Sequence, residues 1–377
     1  MRKNLFATTP GIIIVGAVIG LIAVWLQNTS VLGGMYLMMK WLQKLGNPAN
    51  MGICVACFER DVAGGLGLHR AAIVQYLRPE IMGLVLGSLA AAIATREFKP
   101  RGGSAPIVRF VLGMIAAMGA LVFLGCPWRA ILRLAGGDGN AILGLAGLAT
   151  GIWFGTLFFK KGYSLGRSNS QSVVSGALFP VIAVCLLLLY LIFPQIPDQP
   201  QSGPLFYSVK GPGSQHAPFI ASLGLAFIIG IFAQRSRFCT MGAFRDLFLF
   251  RYTHLFLGLA AMFAAAFIAN ALTGGLKFGF EGQPVAHSDF LWNYLGMVTA
   301  GLAFALAGGC PGRQLFMAGE GDSDAGIFAL GMLVGAAMAH NLGTASSGTG
   351  IGVYGMQATI LGFAVCLIIG FVHSKKA

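Results

Sequence analysis

Ten apolar runs divide this chain, at about 10–27, 80–95, 107–124, 141–159, 173–194, 217–233, 255–273, 291–308, 325–342 and 354–372. They are apolar all round rather than along one stripe. Ile12 to Trp25, for example, holds no charge, while the run at 80–95 has Arg78, Pro79 and Glu80 at its entrance. Each is close to the roughly 17–25 residues that a helix needs to cross a bilayer, so the pattern predicts an all-α polytopic membrane protein. Four shorter apolar pieces lie between the long runs, near 54–66, 127–135, 239–250 and 311–319, and each begins at or beside a cysteine. Helices of that length fall short of a crossing. Pieces of about 10–14 residues read instead as re-entrant or interfacial.

The order of long and short pieces repeats. Gly125-Cys126-Pro127-Trp128-Arg129 is echoed by Gly309-Cys310-Pro311-Gly312-Arg313, and Gly137, Asp138 and Ala141 match Gly321, Asp322 and Ala325 at the same offset. Upstream, Cys54, Arg60 and Asp61 recur as Cys239, Arg245 and Asp246. The chain therefore reads as a first half, 1–194, a Pro/Gly/Gln/Ser-rich linker, 195–216, and a second half, 217–377. Each half carries about five transmembrane helices and two short re-entrant helices; the first has an added segment, 28–50. Five crossings is an odd number, so the second half is expected to enter the membrane upside down, as an inverted repeat.

Composition fits that picture: of 377 residues 56% are hydrophobic and 10% charged, against about a quarter charged in soluble domains. No long alternating strands point to an outer-membrane barrel. The formal charge of +13 lies in loops beside apolar runs, which favours positive-inside bias over nucleic-acid binding. With both termini in the cytoplasm, 16 of the 25 Lys and Arg fall inside and 9 outside. The exception is 58–80, placed outside although it holds Arg60, Arg70 and Arg78. Met1-Arg2-Lys3 and the following run resemble a signal peptide, but no small-x-small cleavage site follows, which favours a first span. Seven cysteines, several at membrane depth, argue against a secreted disulfide framework.

The chemistry centres on the four repeated cysteines. Pro127 and Pro311 follow theirs directly, and proline suits the first helical position. Each cysteine thus falls at the N-cap of a short helix, where free N–H groups and the helix dipole attract anions. Arg60, Arg129, Arg245 and Arg313 recur at fixed distances from the cysteines. Asp61 and Asp246 are placed to pair with such arginines. Two readings stay open for these ions: staples of the repeat, or direct substrate contact. Cys54-x-x-Cys57 allows redox cycling, although Gly242 stands at the position matching Cys57, and zinc is not expected without further ligands. Cys185 and Cys366 read as small buried core residues. Of the scattered histidines, His340 beside Asn341 reads as packed and hydrogen-bonded. Gly83-x-x-x-Gly87 and Gly151-x-x-x-Gly155 read as helix-packing seams. Nucleotide-binding and hydrolase motifs are missing from the sequence, so no cofactor, metal or catalytic residue is expected.

The Arg237-Phe238-Cys239 lead to Arg245-Asp246, together with Gly309-Cys310-Pro311-Gly312-Arg313, resembles the YeeE/YedE family of bacterial inner-membrane proteins, and most closely its YedE branch, associated with selenium metabolism. That resemblance implies a permease, not an enzyme, for a small selenium- or sulfur-containing compound. It also implies a pathway through Cys54, Cys126, Cys239 and Cys310. A related branch takes up thiosulfate, passing the anion along cysteines by S–H···S contacts, and a TusA-like sulfur-carrier protein is an implied cytoplasmic partner. The expected setting is the inner membrane and its lipid, with no nucleic acid. Alternatives are thiosulfate uptake, a membrane thiol–disulfide or sulfur-transfer enzyme using Cys54 and Cys57, and a glycerol- or water-type channel. The first half departs from the pattern at Asn50-Met51-Gly52-Ile53-Cys54, in the extra Cys57 and in the added segment.

Overall fold

A computed structural model describes residues 4–28, 52–196 and 203–374. The added segment from 29, the middle of the linker, the first three residues and the tail lysines Lys375 and Lys376 lie outside the described residues. The long helices are α1 (Thr9–Asn28), α3 (Pro79–Ala94), α4 (Pro106–Phe123), α6 (Asn140–Lys160), α7 (Val173–Ile192), α8 (Phe219–Ser236), α10 (His254–Leu272), α11 (Phe290–Ala307), α13 (Ser323–Asn341) and α14 (Gly355–Val372). The short ones are α2 (Val55–Gly65), α5 (Pro127–Ala135), α9 (Thr240–Phe250) and α12 (Pro311–Gly319). Among the described residues, nine segments are long and apolar enough to cross a membrane. The chain is an all-α polytopic membrane protein. Helix α3 has 16 residues, about 24 Å at 1.5 Å per residue, and is the shorter of the predicted crossings.

Four close pairs make the frame: α1 with α10, α3 with α8, α4 with α13, and α6 with α11. Small residues let their backbones touch, the usual way to hold helices together when lipid is as apolar as leucine. Gly16 lies against Gly258, Gly87 against Phe227, Gly113 against Phe328 and Gly151 against Val298. The two glycine seams read from the sequence are therefore packing surfaces, of α3 on α8 and of α6 on α11. Each pair runs parallel. Thr9 meets His254 at the start of α1 and α10, and Asn28 meets Thr273 at their ends. Ser222 bonds Glu80 at the start of α8 and α3, while Gln234 bonds Glu97 just beyond the end of α3.

One face of the molecule gathers Asn4, whose amide donates to the Arg235 carbonyl, and the Arg235–Glu97 ion pair. On the opposite face the described part of the linker is folded against the loop after α2. Phe206 N–H donates to Gly65 O, Ser208 N–H to Gln75 O and Gly213 N–H to Ile73 O. Tyr76 stacks on His216 at 3.9 Å. Backbone groups buried in a loop must find partners somewhere, and these two loops satisfy each other.

Candidate functional site

All four repeated cysteines are helix N-caps, at α2, α5, α9 and α12. The local reason is visible in the sequence: extended backbone at each cysteine, followed by a short helical run, with proline opening α5 and α12. The Cys54 sulfur accepts the N–H of Cys57 at 3.4 Å and that of Cys126 at 3.4 Å. The Cys239 sulfur accepts the Gly242 N–H at 3.3 Å.

Folding sorts the thiols into two groups. Cys54 lies beside both Cys57 and Cys126, whose backbone N–H groups its sulfur accepts, and Cys239 lies beside Cys310. All five are free thiols and buried. Cys239 has the most access, at 7%, because it lines a cavity of about 420 Å³ with Arg237, Arg245, Asp246, Gly308 and Arg313. Cys54, Cys57 and Cys126 are closed off. A space of only about 30 Å³ lies beside Arg129, Arg133 and Asp138 on the opposite face. Two larger cavities, about 790 and 730 Å³, have no cysteine among their lining residues; the first is mainly apolar, and the second adds Asn341, Thr344 and Gln357.

The arginines divide in the same way. Asp61 is bracketed by Arg60 at 2.7 Å and Arg78 at 2.6 Å, with all three side chains at 0–2% exposure. Arg78 also lies over the Phe58 and Tyr76 rings and donates to the Pro212 carbonyl in the linker. This cluster is a staple, and it removes Arg60 and Arg78 from the free positive charge of 58–80. In the second half Arg245 pairs with Asp246 at 2.8 Å but is 36% exposed, facing the cavity. Arg313 pairs with Glu320 at 3.1 Å. Arg129 donates to the Pro284 carbonyl, and its Nε is buried without a partner among the described residues.

Two readings from the sequence are corrected. Cys185 is exposed rather than core, because α7 buries only Gly176, Pro180 and Ala183 and turns its remaining side outward. His340 stacks on His69 at 4.5 Å, but its Nε2 has no hydrogen-bond partner among the described residues. Three features had no signal in the motifs. Arg78 completes the Asp61 staple from 17 residues away. Glu59 is 4% exposed, and its Oε2 has no hydrogen-bond partner among the described residues. Trp128 sits between segments of both halves.

Residues 235–371 match the family model described as Sulphur transport. The chain is also similar to a protein of Spirochaeta thermophila named thiosulfate transporter TsuA, 32% identical over 106 residues. That alignment takes in 28% of this chain and about a third, 32%, of the relative's length. The matched region holds Cys239, Arg245 and Arg313, which line the open cavity, and Cys310. The resemblance read from the motifs is thus borne out over residues 235–371, where the chain is similar to the sulphur-transport family.

Proposed function

We propose that the protein is a permease for a small sulfur compound, with thiosulfate the leading candidate and selenium compounds the competing class. The observation that carries this reading is the cavity of about 420 Å³ that brings Arg237, Arg245 and Arg313 around the Cys239 sulfur. Positive side chains and a helix N-terminus draw an anion in. A polarizable thiol beside a second one, Cys310, favours a soft sulfur end over the hard oxygens of sulfate. Cys126 and Cys54 form the corresponding station toward the other face. Arg60 and Asp61 act as structure, while Arg129, Arg245 and Arg313 attract the substrate and Asp246 tunes Arg245.

The two halves, 1–194 and 217–377, are an inverted repeat in this proposal. The parallel pairing of α1 with α10 and α3 with α8 supports it, since α1 and α3 would cross in opposite directions. In this reading the open cavity faces the cytoplasm of a bacterial inner membrane, with the N-terminus beside it, which the positive charge of Arg235, Arg237, Arg245 and Arg251 supports. A small TusA-like carrier would collect the sulfur compound there.

The competing enzyme reading, cycling of Cys54 and Cys57, draws on the contact between those two thiols. Uptake of labelled thiosulfate into cells separates the two. Cys239→Ala and Cys310→Ala are expected to abolish uptake at unchanged membrane protein level, and Cys57→Ala to leave it. Normal uptake in the first two variants refutes the thiol pathway, and loss only in the Cys57 variant favours the enzyme.

A further inference from the structure

Trp128 follows Cys126 and Pro127 at the start of α5 and is 1% exposed. Its ring meets Phe238, the residue before Cys239, edge-on with centroids 5.7 Å apart. It also lies against Phe316 of α12 at 6.0 Å. Gly312, two residues beyond Cys310, backs onto the same indole: a Cβ added there would lie 3.1 Å from Trp128 Cζ2. One side chain therefore touches the segments that carry both thiol groups. The cavity beside Cys239 has Gly308 and Arg313 among its lining residues but not Trp128.

The duplication sharpens the point. The offset that maps Cys126 onto Cys310 and Arg129 onto Arg313 maps Trp128 onto Gly312. One half supplies the largest side chain and the other supplies the space that receives it. The fit is not purely apolar, however. The indole Nε1 is buried and has no hydrogen-bond partner among the described residues, whereas a buried tryptophan N–H ordinarily has one. A buried donor left unpaired among the segments that carry Cys126, Cys239 and Cys310 calls for a transient acceptor.

We infer that Trp128 is the barrier between the Cys239–Cys310 and Cys54–Cys126 stations, and that its N–H is a binding group for the anion in transit. This rests on the transport reading. The ligand class is a small oxyanion with a sulfur terminus: the ring excludes water and hydrated ions, and the N–H donates to an anionic oxygen or sulfur. The ring must swing away from Gly312 for each passage, so Trp128 sets both tightness and selectivity.

Purified protein in liposomes tests both parts, with labelled thiosulfate for uptake and labelled sulfate for leakage. Trp128→Phe keeps an aromatic wall and removes the N–H. Its KM for thiosulfate should rise about tenfold or more, as expected for losing a hydrogen bond to a charged group, with maximal rate within about twofold and vesicles still tight to sulfate. Trp128→Gly, which reproduces the second half, should let sulfate leak. Should that variant fail to purify as a monodisperse species, Trp128→Leu serves and should leak less but measurably. An unchanged KM in the Phe variant overturns the N–H role. Vesicles of the Gly or Leu variant as tight as wild type overturn the barrier. If wild type itself takes up no thiosulfate, the transport reading fails. The N–H claim is then decided by calorimetric titration with thiosulfate, in which Trp128→Phe must bind about tenfold more weakly than wild type.

Discussion

Asp61→Asn should unfold the outer end of the first short helix, whereas Asp246→Asn should not. The two aspartates occupy matching places in the duplication, yet their surroundings differ. Asp61 Oδ1 accepts Arg60 Nε at 2.9 Å and Nη2 at 2.7 Å, and Oδ2 accepts Arg78 Nε at 2.7 Å. With Asp61 and Arg78 at 0% exposure and Arg60 at 2%, the asparagine variant removes the carboxylate charge that two buried guanidinium groups share. Breaking a buried pair in this way costs about 3–5 kcal/mol. Arg78 would also loosen its hold on Pro212, so the linker should lift from the loop after α2. Arg245, the partner of Asp246, is more than a third exposed, and after solvent screening the same change is worth at most about 1 kcal/mol. The assay is thermal unfolding in detergent read by far-ultraviolet circular dichroism. A clear loss of melting temperature in Asp61→Asn and little in Asp246→Asn is the expected result. Equal melting of the two variants would refute the division into staple and open site.

Other consequences follow from the same geometry. A membrane-impermeant maleimide applied to the open face should label Cys239 and spare Cys54, Cys57 and Cys126, because only Cys239 reaches the cavity; labelling of Cys54 at a comparable rate contradicts this. Gly87→Leu should reduce folded protein, since the new side chain meets the Phe227 backbone, and overpacking costs about 1–3 kcal/mol. Glu59→Gln should melt at or above the wild-type temperature, because one carboxyl oxygen has no hydrogen-bond partner among the described residues and burying a charge there costs solvation.

The architecture was largely legible because its signals are local. The runs predicted at 127–135 and 311–319 coincide with α5 and α12, since proline and glycine mark the starts and the apolar stretch sets the length. The cysteine N-caps were legible for the same reason. What pairs with what was not. Cys54 and Cys126 are 72 residues apart, and their contact depends on how α2 and α5 are packed rather than on any spacing. Composition marks the segment as a linker rich in Pro, Gly, Gln and Ser, yet it does not identify the groups that Phe206 and Ser208 bond in and after α2. Arg60 and Arg245 look equivalent in sequence; only burial separates a staple from an accessible cation. Trp128 carries no repeat signal because its counterpart is Gly312, and a bulk in one half that faces a gap in the other leaves no match in the sequence.

The central claim is a route for a soft sulfur anion that passes by way of paired thiols. The most direct measurement is uptake of labelled thiosulfate by purified protein in liposomes, with selenite, selenide and sulfate as competitors. The account predicts saturable uptake, competition by soft sulfur or selenium species but not by sulfate, and loss of uptake in Cys239→Ala and Cys126→Ala. Uptake that is indifferent to sulfate and thiosulfate alike, or that survives both substitutions, would contradict it.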